Sequence, residues 1–587
     1  MSFLSPQNWR KKDDSHVTLD QQLIGSVSRK RKFSVAQFKY LHRILTRREY
    51  RIVQILGIIL IVNIAFLSWK AYQQMTVEVP RSGGTYSEGL VGSPSTINPL
   101  FLHANDSDRD LVALVYSGLM RYTADRTIEP DLAESFELSE DQKTYTFNLR
   151  RNVVWHDDDP FDAADVVFTL SRIQDPAVKS PLYASYKDIT VKKEDDYRIS
   201  FTLTKPFAPF LDLATVPILP EHLWGELTTD QLPLSTLNLK PVGIGPWKFR
   251  SLQKEKDGTI RSYTLSRNDE YHGEKPFIER LIFKFYPDTQ SAVQALKNRH
   301  VDGVSFVPRE ERESLAKDSS LIIRSLHLPQ YTALFVNLNG KKELQTRDVR
   351  VALAHAIDKE RIVAQGMKGE AEVIQGSIPK GLLGYHADIQ TYTYDREKAE
   401  ELLDKAGLKK GEDGKRALTI ELATVDTPER ARIAEMVKEM WEQLGLTVAL
   451  TYEPSATMRE LVLNPRKYDI LLYGAVVGSD PDLYTFWHSS QVNAPGLNLS
   501  HYSNTDADKL LEEARTTPDA QKREELYRKF QDILARDVPA LFLYTPIYYT
   551  VVTKEQRGVR DSLRISYPSD RFGDLSSWYR TSKRQWR

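Results

Sequence analysis

The sequence predicts an α/β protein of more than one domain, with one apolar helix near its start. Three observations carry this. Short strands with alternating apolar residues recur between helices with i, i+3, i+4 apolar spacing, the pattern of α/β layers with mixed sheets. The 587 residues exceed one core, since single cores rarely grow past about 250–300 residues. Residues 52–69, IVQILGIILIVNIAFLSW, are the one strongly apolar run of that length.

As a helix that run rises about 27 Å, close to the ~30 Å hydrocarbon core of a bilayer. Gln54 and Asn63 are its only strongly polar members, and Trp69 and Tyr72 stand where interfacial aromatics belong. Three readings are open to it. A buried core helix is disfavoured because both faces are apolar. A cleaved signal peptide is disfavoured because 51 residues precede the run and no small-x-small site follows. An uncleaved transmembrane signal anchor fits best.

Arg29, Lys30, Arg31, Lys32, Lys39, Arg43, Arg47, Arg48 and Arg51 lie upstream, against Lys70 and Arg81 just downstream. The positive-inside rule then makes residues 1–51 a cytoplasmic basic segment and puts everything beyond about residue 75 outside the cytoplasmic membrane, periplasmic or at the cell surface. Phe33, Ala36, Tyr40 and Ile44 have the spacing of a helix lying on an anionic leaflet. The bases serve equally well if they only set topology.

Beyond the anchor, TYTFNL (144–149) alternates as a half-buried strand, VVWHDDDPF turns, and 163–172 reads as an amphipathic helix entered through Asp162, a good N-cap type. Further strands are expected at 199–203, 278–286, 332–338, 418–424, 447–452 and 469–473. Helices are expected at 348–365, 395–406 (with Gly407 as C-cap), 428–444, 507–515 and 520–535. RSGG (81–84) and PVGIGP (241–246) read as turns. No fixed-period repeat is present.

Composition narrows the function. Lys+Arg and Asp+Glu balance at 80 each, so no whole-chain field points to nucleic acid. With no cysteine, disulfides, thiolate catalysis, Cys-ligated metals and a lipid-modified N-terminal Cys are excluded. The 28 tyrosines suit surfaces that are both apolar and hydrogen-bonding, as a ligand cleft is. His156-Asp157-Asp158-Asp159 imitates a metal cluster, but neighbours in one turn seldom converge on one ion, and an exposed turn is the better reading. No G-x-S-x-G elbow supports acyl transfer, and Gly83-Gly84 lacks any phosphate-loop context. The residues point to no enzyme, no cofactor and no resident metal.

The stretch 130–172 resembles the signature segment of the peptide/nickel-type (family 5) extracytoplasmic solute-binding proteins of ABC transporters, similar to dipeptide- and oligopeptide-binding proteins. Further motifs follow in that family's order: STINPL (95–100), YSGL (116–119), PVGIGPWKF (241–249), LSRNDEYHG (265–273), DTQSAVQALKNRHVDGV (288–304), TRDVRVALAHAIDKERI (346–362), YDREKAEELLDKAGL (394–408) and NLSHYSNTDADKLLEEAR (498–515). The resemblance implies the large, peptide-binding type of two-lobed periplasmic-binding-protein-like fold. Lobe one would be 76–328 with the returning segment 546–587, lobe two 329–545, and the hinge would lie near 328–331 and 544–546. A peptide or similar oligomer would bind between the lobes and pass to an ABC permease driven by separate ATPase subunits, with the N-terminal helix holding the receptor at the membrane.

The resemblance also implies a site. In peptide-binding relatives an Asp in a "GW-x-x-D" stretch pairs with the ligand α-amino group. Here YDILLYGAVVGSDPDLYTFW (468–487) puts Ala475 at the Trp position and Val477 or Gly478 at the Asp position. A buried ammonium without its counter-charge costs several kcal/mol. Asp480 and Asp482 stand a few residues on and could substitute, although in the family the "DP" Asp reads as structural, capping the next helix; Asp480 is kept as a candidate ligand contact. The lining strand Gly474, Ala475, Val476 and Val477 is carried over with Asp480. So are Ala104, Asn105 and Asp106 before the first lobe-one helix, Tyr331 and Asn337 on the strand entering lobe two, and Tyr544 on the returning strand. Phe486 and Trp487 would form an apolar wall, with plain core packing as the alternative for each aromatic. Relatives have Gly where Asp158 stands. Loss of the amino-pairing Asp leaves open the same fold for an oligosaccharide or a metal chelate, or use as a stand-alone sensor.

Overall fold

The apolar run lies inside a longer helix, Arg47–Met75, which is long and apolar enough to cross a membrane and buries none of its residues. Its start is fixed by Thr46: the Thr46 N–H donates to the Glu49 carboxylate at 2.9 Å and the Glu49 N–H to the Thr46 hydroxyl at 3.4 Å, a reciprocal cap of two orphan donors. Asn63, inside the run, satisfies its amide on the Ile59 carbonyl at 2.8 Å. The computed structural model describes residues 45–101, 105–478 and 480–586. The basic segment before residue 45, including Phe33, Ala36, Tyr40 and Ile44, lies outside the described residues, as does Ala104. Two compact units are present, Met1–Val79 with Lys583–Arg587, and Pro80–Ser582. In the smaller one the helix runs straight into the strand Thr76–Arg81, which pairs with Thr581–Trp586.

In the larger unit, the expected strand Thr144–Leu149 is central in a four-stranded antiparallel sheet with Ala133–Leu138, Arg198–Leu203 and Ile189–Asp195. Tyr145, Phe147 and Leu149 face the core, where Val166, Leu170 and Ile173 of the helix Ala163–Gln174 meet them. Asp162 caps that helix by accepting from the Ala164 N–H at 2.5 Å, and Asp165 returns the contact to the Asp162 N–H at 3.2 Å. Asp162→Ala is expected to lower the unfolding free energy by about 1 kcal/mol. Urea denaturation checks this, and a change within error of zero would show the cap to be idle.

The large mixed sheet explains the rest. Thr85–Val91 runs parallel to Arg280–Tyr286 and Gly303–Ser305, while Trp247–Lys254, Ile260–Arg267 and Arg280–Tyr286 form an antiparallel meander. Thr419–Val425 runs parallel to Thr447–Glu453 and Ile470–Val476, with the helix Pro428–Glu442 as crossover. Gln330–Val336 lies between Ile470–Val476 and the long strand Ala540–Thr553, antiparallel to both. Its alternate residues are buried on both faces: Leu334 and Val336 against Ile433, Val437 and Trp441, and Ala333 and Phe335 against Trp487 and Phe530.

The long strand ties two groups of cores together. Its first half pairs with Gln330–Val336 and Ala371–Val373, its second with Leu321–His327 and Gly303–Ser305. The partner changes between Pro546, which opposes Ala371, and Ile547, which opposes His327. The other crossing is Leu328–Pro329, between Leu321–His327 and Gln330–Val336.

Element boundaries shift for local reasons. The helix expected over 348–365 divides into Arg347–His355, Lys359–Arg361 and a π-turn Ile362–Gly366. Asp358 breaks it by taking an extended backbone and capping the restart, accepting from the Arg361 N–H at 2.8 Å. The strand expected over 332–338 runs Gln330–Val336 instead, because Asn337 turns the chain by accepting from the Asn339 N–H at 3.1 Å.

Candidate ligand-binding site

Two polar groups stand out in the larger unit. The first is built on the crossing strands. Thr332 and Tyr544 are direct register partners, and Gly474 opposes Thr332 on its other side. Arg430, from the first turn of Pro428–Glu442, lays its guanidinium over them and donates to the Thr332 hydroxyl at 2.9 Å and the Tyr544 hydroxyl at 3.0 Å. A Cβ at residue 474 would stand 3.3 Å from the other Arg430 terminal nitrogen, so glycine leaves that bed open. Burial pushes the Tyr544 hydroxyl up to about 12, with Arg430 opposing, so it stays neutral and donates to Glu429 at 3.4 Å.

The second group joins distant segments. Asp480 pairs with Arg523 at 2.7 Å, and its other oxygen is buried without a hydrogen-bond partner. Burial raises its carboxyl to about 6; Arg523 opposes this, while Asp212 and Asp482 add to it. Asp482 pairs with Arg515 at 3.0 Å, and burial again raises its carboxyl. The Arg515 guanidinium stacks 4.4 Å from the Tyr484 ring and 5.3 Å from Phe207, and its carbonyl accepts from the Ala208 N–H at 2.9 Å. On the facing side Asp212 accepts a short hydrogen bond from Tyr122, whose ring carries the Arg126 guanidinium at 3.8 Å. Tyr567 is half-exposed beside Arg109, 4.6 Å from its ring. Carboxylates, guanidiniums and phenols thus alternate along one seam, which suits a polar, zwitterionic ligand by charge and hydrogen bonding.

The positions singled out in the sequence fall into distinct settings. Asn105 caps the helix Asp106–Val115, accepting from the Asp108 N–H at 2.7 Å and donating to the Asp108 carboxylate at 2.8 Å. That carboxylate also holds the Ser95 and Thr96 N–H groups, so the STINPL loop and the helix start are one assembly. Asp106 is exposed. Asn337 is buried and donates to the Tyr468 carbonyl at 3.0 Å. Ala475 and Val477 point into the core, whereas Val476, on the other face, is 49% exposed. Tyr331, Trp487 and Tyr544 are fully buried; Tyr331 meets Phe542 edge-on at 5.1 Å, and Trp487 packs on Phe335 and Phe542. Phe486 is partly buried against the same core. Asp480 is therefore brought together with Arg523, Asp212 and Tyr122, and Tyr544 with Thr332, Gly474 and Arg430.

The HDDD turn uses its side chains separately. Burial lowers the His156 imidazole to about 4; its Nδ1 accepts from the Gly243 N–H at 3.2 Å and its Nε2 lies 3.0 Å from the Gly245 carbonyl. Asp157 and Asp159 both turn to His222, at 2.9 and 3.3 Å. Asp158 has φ +71°, the left-handed region that glycine enters without strain.

Sequence reasoning missed Arg430, Arg523, Arg515, Asp212, Tyr122 and Arg126. Arg523 and Arg430 sit in ordinary amphipathic helices, and Asp212 in a short turn of helix, Phe210–Leu213. No local signal separates them from solvent-facing charges.

The architecture is that of the two-lobed periplasmic binding proteins, a class that holds a solute between paired α/β bodies. The chain belongs to the bacterial extracellular solute-binding proteins, family 5, whose middle region matches residues 127–496. It is 31% identical to the dipeptide-binding protein of Escherichia coli strain K12 over 514 residues, covering 82% of this chain and 93% of that one. The oligopeptide-binding protein AppA of Bacillus subtilis, solved in complex with a nonapeptide, is 27% identical with a TM-score of 0.65 over 85% of this chain and 99% of that one. NikZ of Campylobacter jejuni, solved with Ni(L-His), is 28% identical with a TM-score of 0.66 over 84% and 99%.

Proposed function

We propose that this chain is a membrane-anchored extracytoplasmic receptor that takes a peptide or similar short oligomer between its lobes and delivers it to an ABC importer. Lobe one is 76–328 with 546–587, lobe two is 329–545, and the crossings at Leu328–Pro329 and Pro546–Ile547 are the hinge. The observation that carries the reading is the seam at Asp480, where paired charges of lobe two face Asp212 and Tyr122 of lobe one. Asp106, Gly474, Val476 and Asp480 offer contacts to the ligand. Asn105, Tyr331, Asn337, Ala475, Val477, Trp487 and Tyr544 form the wall that fixes those contacts in place. The relatives named for dipeptides and oligopeptides support a peptide ligand. The helix Arg47–Met75, with Lys and Arg gathered before it, supports an anchor with the receptor outside. A second reading, an amino-acid metal chelate, is favoured by the relative solved with Ni(L-His).

Full-length protein in nanodiscs, mixed with a random peptide pool and washed, is expected to retain a subset of peptides by mass spectrometry. Retention of nickel with histidine and no peptide enrichment would support the chelate reading instead. Retention of neither would sink both.

A further inference from the structure

The smaller unit holds its last strand against the outer end of the apolar helix, and we propose that this strand, Thr581–Trp586, seats on the phospholipid headgroups of the bilayer that holds the helix. The inference rests on reading Arg47–Met75 as a membrane span. No loop separates that helix from Thr76–Arg81, the partner of the last strand. The junction is locked: the Thr76 hydroxyl donates to the Tyr72 carbonyl at 2.6 Å and accepts from Arg584 at 3.1 Å.

Tyr72 is gripped from one face of the strand. Arg584 and Trp586 stand two residues apart and therefore point the same way. The Arg584 guanidinium lies 5.8 Å from the Tyr72 ring, and the Trp586 ring meets it edge-on at 5.9 Å. Trp586 remains 65% exposed and Met75 59%, an aromatic and a thioether offered to the surroundings.

Depth follows from the helix rise. The apolar run ends at Trp69, so Tyr72 lies about 4.5 Å farther along the axis. Headgroup regions occupy about 5–7 Å on each side of the hydrocarbon core. Tyr72, and with it Trp586, falls in that layer. Arg584 brings positive charge to Tyr72 there, and amphipathic aromatics with bases are the side chains that interfaces select. The occupant is the phospholipid headgroup layer of the bilayer that holds the helix.

The absence of cysteine gives a clean test, since one introduced Cys takes one label. Full-length Gln585→Cys and, separately, Leu60→Cys are labelled with an environment-sensitive fluorophore. Both are reconstituted in vesicles of equal parts phosphatidylcholine and phosphatidylglycerol carrying nitroxide lipids, shallow or deep. The label at 585 is expected to be quenched by shallow nitroxides and the label at 60 by deep ones. Adding Arg584→Ala and Trp586→Ala is expected to cut the shallow quenching at 585 about twofold or more while leaving position 60 unchanged. Deep quenching at 60 with none at 585 overturns the seat and leaves the span intact. No quenching at 60 removes the span and the seat with it. Quenching at 585 that survives the double substitution, or protection there that rises with protein density instead of lipid, assigns the strand to another partner and overturns the proposal.

Discussion

Arg571→Met is expected to lower the unfolding free energy by about 3–5 kcal/mol, because it strands two carboxylates in the core. The Arg571, Glu88 and Asp110 side chains are 3%, 1% and 3% exposed. Arg571 donates to Glu88 at 3.0 Å and, bidentate, to both Asp110 oxygens at 2.7 and 2.5 Å. Tyr86 and Ser305 each add a hydrogen bond to Glu88 at 2.7 Å, and the guanidinium covers the Phe572 ring at 4.1 Å. The triad joins a strand and a helix near the start of the large unit to the segment that returns hundreds of residues later. Breaking one partner removes the attraction and keeps the desolvation, which is why the single change is costly. The triple variant Glu88→Gln, Asp110→Asn, Arg571→Met removes the stranded charges and is expected to recover a good part of the loss. Urea denaturation followed by tryptophan fluorescence measures both; a single variant within about 1 kcal/mol of wild type would show the network to be electrostatically idle.

Much of the scaffold is legible in the sequence for one physical reason: local periodicity and caps act over a few residues. The strand Thr144–Leu149, the Asp162 cap and the helix Pro428–Glu442 are read from alternation, a short polar residue and 3.6-residue spacing. The ordered motifs then lead to the family, which the match over 127–496 shows. The site is another matter. Asp480 meets Arg523 from a helix 43 residues on, and Arg571 meets Glu88 across 483 residues. No window of sequence holds such a pair: the first is made where the helix Ala520–Asp537 meets the loop after Ile470–Val476, and the second by the chain's return on Ala540–Thr553. Burial is equally hidden: Val476 and Val477 are identical in type, yet alternation on the pleat leaves one exposed and the other in the core.

Asp480 offers the sharpest link between charge and ligand. Its carboxyl is raised to about 6 by burial, chiefly against the pull of Arg523, with Asp212 and Asp482 adding to the rise. The groups facing it are Arg523 and Tyr527 from one helix, Asp482 on its own loop, and Asp212 with Tyr122 from segments far earlier in the chain. A carboxyl whose folded pKa stands above its unfolded value of about 3.9 holds its proton more tightly when folded. The stability it contributes is fully present below the unfolded pKa and is lost as pH rises through about 6. Asp480→Asn removes that titration and keeps the shape. Wild type is therefore expected to gain about 2 kcal/mol relative to Asp480→Asn as pH falls from about 7 to about 4. Denaturation curves at stepped pH give the difference directly, and a flat difference would show that burial does not control this carboxyl. The same curve locates the ligand. An ammonium paired with Asp480 favours the ionised carboxyl and pulls its pKa back down, so saturating peptide is expected to flatten the difference. A peptide that binds and leaves the slope untouched makes its charge contact elsewhere, with Arg430 or Asp106 next in line.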